Sequence, residues 1–178
     1  MRHIRIPLPA VALIILILLC RAVASAGPLV VQCPQDWKLE RKTNSINTLS
    51  GRYEFYSLMR QSGEGLLMFS PWPPGGSSND IPALVKELAD RFVKDARKST
   101  SKVKLTSDTY HIEQFDGDQC HGSFVLFEDI APPHSAAPSV LAMFFIYVDG
   151  RLWNGQFTGS RDGWDQALPV LKSLKTDN

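Results

Sequence analysis

An α+β domain, one antiparallel sheet flanked by helices, is the fold class that three features of this sequence predict. Ile81, Leu84, Val85, Leu88, Phe92 and Ala96 recur at helical spacing, and Trp164, Leu168, Leu171 and Leu174 do the same near the end. Most of the remaining chain falls into short alternating or continuous apolar runs bounded by Gly, Pro, Asn and Asp. Val140 to Val148 is apolar throughout, as expected of a strand covered on both faces. Two amphipathic helices each need an apolar partner, and one sheet between helical layers satisfies both. Composition agrees, since 44% hydrophobic and 21% charged residues exclude a disordered or collagen-like chain.

The elements follow in order. Residues 27–35 read as an extended lead-in, because Pro28 and Pro34 exclude helix. Trp37 to Arg41 alternates as a half-buried strand, and 42–51 is a polar loop. Tyr53, Phe55 and Ser57 share one face of the next strand, with Glu54, Tyr56 and Leu58 on the other. Gly65 to Phe69 is a continuous apolar strand that Pro71-Trp72-Pro73-Pro74-Gly75-Gly76 stops. Asp80 is placed to cap a helix over 81–98, with Pro82 tolerated in its first turn. Its polar face carries Glu87–Arg91 and Asp90–Lys94 at i,i+4 spacing. Strands are expected at 102–106, 109–115 and 119–129, the last two joined at Asp116-Gly117, and a loop follows over 131–138. Asp149-Gly150 turns strand 140–148 into strand 151–157. The closing helix contains Pro169, which predicts either a kink or a start near that residue.

In this order and pattern the chain resembles the PsbP-like fold, named for the extrinsic subunit of photosystem II and shared by bacterial DcrB-type proteins. The features carrying the resemblance are Pro34-x-x-Trp37, the strand running into the Pro-rich 71–76 loop, helix 81–98, and the 140–158 hairpin before a closing helix. It spans residues 33–175 without a diagnostic motif. The resemblance implies an αβα sandwich and a non-enzymatic adaptor, accessory subunit or chaperone-like binder. It brings no catalytic residues and no cofactor.

Residues 1–26 read as an export signal. Arg2 and Arg5 precede an uncharged, mostly apolar run from Ile6 to Cys20, and Ala24-Ser25-Ala26 offers a small-x-small cleavage site before Gly27. The run is shorter than the roughly 20 residues a spanning helix needs. Membrane attachment is therefore expected only through an uncleaved signal. Leu18 and Leu19 before Cys20 argue against lipoprotein processing. Removing 26 of the 178 residues leaves 152, one domain over 27–178. Neither Asn44-Ser45-Ile46 nor Asn47-Thr48-Leu49 is a glycosylation sequon, which favours a bacterial periplasm over a eukaryotic secretory route, with secretion beyond the cell also open.

Nineteen Lys and Arg less Arg2, Arg5 and Arg21 leave 16 against 18 acidic residues, which argues against nucleic acid as a partner. Cys33 and Cys120 alone survive cleavage, and in an oxidising compartment their pairing as a structural disulfide is expected. Closing that loop would contribute about 4–5 kcal/mol on the chain-entropy model.

No Gly-x-Ser-x-Gly, His-Glu-x-x-His, phosphate loop or Gly-x-Gly-x-x-Gly is present, so no catalytic residue is assigned. A triad assembled in space, a hydrolase, would have only His111, His121 and His134 as bases outside the signal. The densest polar cluster is His111, Glu113, Asp116, Asp118, Cys120 and His121. A hairpin at Asp116-Gly117 could bring His111 and His121 together with Glu113 or Asp118 as a zinc or copper site. Trp72 between prolines reads either as a cover folded back over the sheet edge or as a pre-stiffened interface anchor, which with Pro73, Pro74 and His134 of the 131–138 loop would mark a protein-binding surface. Trp153 and Phe157 flank Gly155 on one strand face and read as core under a helix. The expected function is a periplasmic protein-binding module, an immunity-type inhibitor of a toxin or an accessory subunit of an envelope complex. A small-ligand or metal carrier using the sheet–helix cleft is the alternative.

Overall fold

The computed structural model describes residues 29–45, 52–72, 80–98, 110–128 and 139–177. The expected signal over 1–26, the strand over 102–106 and the loops holding Pro73, Pro74 and His134 lie outside them. The elements are β1 (Leu29–Val30), β2 (Trp37–Ser45), β3 (Arg52–Arg60), β4 (Gly65–Pro71), α1 (Ile81–Lys98), β5 (Ile112–Asp116), β6 (Cys120–Glu128), β7 (Val140–Val148), β8 (Arg151–Gly159), α2 (Arg161–Lys172) and β9 (Lys175–Thr176). Seven strands form one antiparallel sheet in the order β2-β3-β4-β8-β7-β6-β5, and β1 pairs with β9 separately.

Alternation along the strands divides the core in two. Phe124, Ala142, Phe144, Ile146, Trp153 and Phe157 pack with Trp164, Ala167, Val170 and Leu171 of α2. Val125, Phe127, Leu141, Met143, Phe145 and Leu152 pack with Ile81, Val85, Leu88, Ala89 and Phe92 of α1. The helices thus lie on opposite faces, and the continuous apolar run of β7 is buried on both, as the sequence predicts. Each buried side chain of α1 the size of Val or larger contributes about 1.5–3 kcal/mol. On its polar face Arg91 pairs with Glu87 as expected, but Asp90 turns back to Lys86 at 2.7 Å and also accepts from the Tyr110 hydroxyl.

Three boundaries differ from expectation. The first strand continues through the polar stretch to Ser45, because β3 pairs with it residue by residue from Trp37↔Arg60 to Ser45↔Arg52. The last helix begins at Arg161, not near Pro169. Ser160 caps it by accepting from the Gly163 amide at 3.1 Å, and burial of Trp164 and Ala167 holds the first turns on the sheet. Pro169 lies on the exposed side of this helix, where water can meet an unpaired carbonyl. The third difference is the β1–β9 pair, with Leu29 opposite Thr176 and Val30 opposite Lys175. Leu29 is buried, and its amide donates to the Tyr56 hydroxyl at 3.1 Å.

The β7–β8 hairpin turns on two residues, Asp149 and Gly150, both at positive φ (45° and 81°). Val148 pairs with Arg151 across it, the geometry that favours Asp-Gly in such turns.

Candidate functional site

Strand β8 is central in the sheet, between β4 and β7, and its two faces differ in chemistry. Toward α2 it presents Trp153, Gly155 and Phe157. The gap over Gly155 is filled by the Phe144 ring, 2.5 Å from where a Cβ would stand. This is core packing, as the sequence reading expects.

The face toward α1 carries Leu152 and then Asn154, Gln156 and Thr158, which are 3%, 3% and 6% exposed. Ser70 of β4, fully buried, lies opposite Asn154 in register and donates to its Oδ1 at 3.3 Å. These four residues form a polar ladder in the sheet interior. Gln156 lies between Met68 on β4 and Met143 on β7, and its Nε2 is buried with no hydrogen-bond partner among the described residues. Thr158 lies between Leu66 and Leu141, and Asn154 is flanked on the β7 side by Phe145. A buried amide donor without a partner costs about 1–3 kcal/mol. On the opposite face Trp153 Nε1 is also without a partner among the described residues, surrounded by the Tyr56 and Phe69 rings.

The ladder stands at the flank of α1, which packs on β5, β6 and β7. The β3 residues sharing this face are Phe55 and Ser57, both half-buried, and Met59, which is 49% exposed. Sequence reasoning missed the ladder. Its signal is the alternation of Asn154, Gln156 and Thr158 with Trp153, Gly155 and Phe157, which by itself describes a strand with one wet face.

The residues singled out from sequence do not form one site. Trp72 is half-buried: its ring meets Phe145 edge-on at 4.9 Å, and its amide donates to the Leu152 carbonyl at 2.8 Å. It turns inward beside the ladder rather than standing free as an anchor. His111 and His121 are not brought together. The β5–β6 register places His121 opposite Asp116, leaving His111 five residues along, roughly 17 Å away at strand rise. His121 instead packs on Tyr147, ring centroids 5.4 Å apart. No group of three His, Cys, Asp or Glu residues among those described is placed to hold a metal ion.

The expected disulfide is not formed, and both thiols are free. The Cys33 thiol donates to the carbonyl of Trp37, the first residue of β2. Cys120 begins β6 and donates to the Leu171 and Lys172 carbonyls of α2. Cys33 precedes β2 and is held at Trp37, on one edge strand of the sheet, whereas Cys120 opens β6, beside the other edge strand, and is held on α2. Burial raises both thiol pKa values above the ordinary one. Near Cys120 an open concavity of about 570 Å³ is lined by Asp116, Asp118, Asp165, Leu168, Pro169 and Lys172. The turn closes onto α2 so tightly that a Cβ on Gly117 would stand 2.0 Å from the Lys172 carbonyl oxygen.

The chain matches no family model, no curated protein and no solved structure. No helix among the described residues is long and apolar enough to cross a membrane.

Proposed function

We propose that the protein is an exported, non-catalytic binding module of PsbP-like αβα type, acting as a small-ligand carrier through the polar face of β8 at the flank of α1. The observation that carries this reading is the Ser70–Asn154–Gln156–Thr158 ladder, polar groups held inside a central strand with one donor left over. Natural chains retain such groups against the stability gained by an apolar replacement when a function requires them.

A second reading is a protein partner in the cell envelope, which would make the module an immunity-type inhibitor or an accessory subunit. It rests on Met59, exposed on the same face as the ladder and next to the half-buried Leu66.

Native mass spectrometry of the protein, produced with its own leader and recovered gently from envelope and medium, tests both. A small added mass that Gln156→Met loses supports the carrier, and an added chain supports the envelope partner. The bare mass from every fraction would sink the binding reading.

A further inference from the structure

We propose that the ladder recognises an uncharged ligand which offers an amide or carbonyl oxygen to Gln156 Nε2 and an apolar group to Met68 and Met143. This deepens the carrier reading above and rests on it. The hydrogen-bond inventory sets the polarity of the contact. Ser70 and Asn154 already engage each other, whereas Gln156 keeps a donor with no acceptor among the described residues. A side-chain amide nitrogen only donates, so the group it lacks is an acceptor oxygen.

The surroundings set the charge. Every neighbour of the ladder in register on β4 and β7 is neutral: Leu66, Met68 and Ser70 on one side, Leu141, Met143 and Phe145 on the other. The α1 residues packed on this face beside the ladder, over β5, β6 and β7, are Ile81, Val85, Leu88, Ala89 and Phe92. A carboxylate or ammonium brought here would lose its water without gaining a counter-charge from these described neighbours, at a cost of several kcal/mol. A neutral amide loses far less, and one hydrogen bond to Gln156 replaces what it gives up. The two thioethers beside Gln156 are polarizable and adaptable, suited to a small alkyl group next to the carbonyl.

The experiment uses the smallest molecule with this chemistry, N-methylacetamide, and acetate as its charged counterpart. The side-chain amide protons of Gln156 are assigned in the ¹⁵N spectrum by their loss in Gln156→Met. N-methylacetamide should shift them saturably with a midpoint that is roughly millimolar, as befits so small a fragment. Its shifts on neighbouring Met68 and Met143 methyls should weaken about tenfold in Gln156→Met, and acetate should leave all of them in place. Unmoved resonances in the wild type, or equal response to acetate, would overturn the proposal. So would a strong water-to-amide cross-relaxation peak at Gln156 that the fragment leaves intact, because an ordered water would then be the acceptor. A ligand retained in native mass spectrometry alongside a failed fragment titration would leave the carrier reading standing and remove only this ligand class.

Discussion

Replacing Gln156 with methionine should make this protein more stable. Met has nearly the length and volume of Gln, and here it would join Met68 and Met143 in a continuous thioether row across β4, β8 and β7. What disappears is a buried amide whose nitrogen has no partner among the described residues. Removing such a group in favour of an apolar one of the same shape recovers about 1–3 kcal/mol. In a domain of this size each kcal/mol shifts Tm by roughly 2–4 °C, so a rise of about 2–12 °C is expected. Urea unfolding is the cleaner assay, because a higher midpoint at unchanged slope isolates stability from compactness. Asn154→Leu is the internal contrast. Asn154 accepts from Ser70, so its loss should destabilise by about 1–3 kcal/mol. Opposite signs at two positions on one strand face are the signature of a single unmet donor. Destabilisation by Gln156→Met of more than about 1 kcal/mol would refute the reasoning, since it would mean that the amide is satisfied in solution.

Four further expectations follow from geometry. Gly155→Ala would put a Cβ 2.2 Å from the Met68 carbonyl oxygen and into the Phe144 ring, and should destabilise by about 3 kcal/mol or leave no folded protein, as circular dichroism would show. Ser160→Ala removes the cap of α2 and should lower stability by about 1 kcal/mol in the same urea assay, with the α2 amides losing most protection. In protein lacking residues 1–26, thiol titration should count one fast group, exposed Cys33, in the native state and two after unfolding; no thiol in denaturant would restore the disulfide. Asp149 accepts from the Thr176 hydroxyl and amide, which holds its carboxyl below the usual pKa. That contribution is present above the unfolded carboxyl pKa and is lost as pH falls through the lowered folded value, so the Thr176 amide should exchange faster in acid, relative to the intrinsic rate, than at neutral pH.

The parts of the fold legible in the sequence are those whose pattern and environment agree. Helix 81–98 has an uninterrupted apolar stripe, and Val140–Val148 has no polar position to contradict burial on both faces. Strands β1 and β9 are two residues each and carry no period, so only the docking of one chain end on the other defines them. A helix start near Pro169, one of the two readings of that residue, failed because local propensity is overridden by the anchoring of Trp164 in the core. The histidine pair failed on register, since a turn at Asp116-Gly117 fixes which residue faces His121. The cysteine pairing failed because counting two cysteines says nothing about where the fold holds them, Cys33 at Trp37 of the edge strand β2 and Cys120 on the α2 carbonyls. The ladder was visible as alternation, but strand order is what turns the polar side of β8 from a wet face into an interior one.

The pairing of β1 with β9 makes the domain a closed ring in time as well as in space. Leu29 is among the first described residues and Thr176 among the last, yet they are direct partners. Because β9 follows every other described element, Leu29 cannot complete this pairing until the rest of the described chain has been made. A chain cut short after Leu174 would keep the whole seven-stranded sheet but never acquire this latch, and proteases should find it at its amino end first.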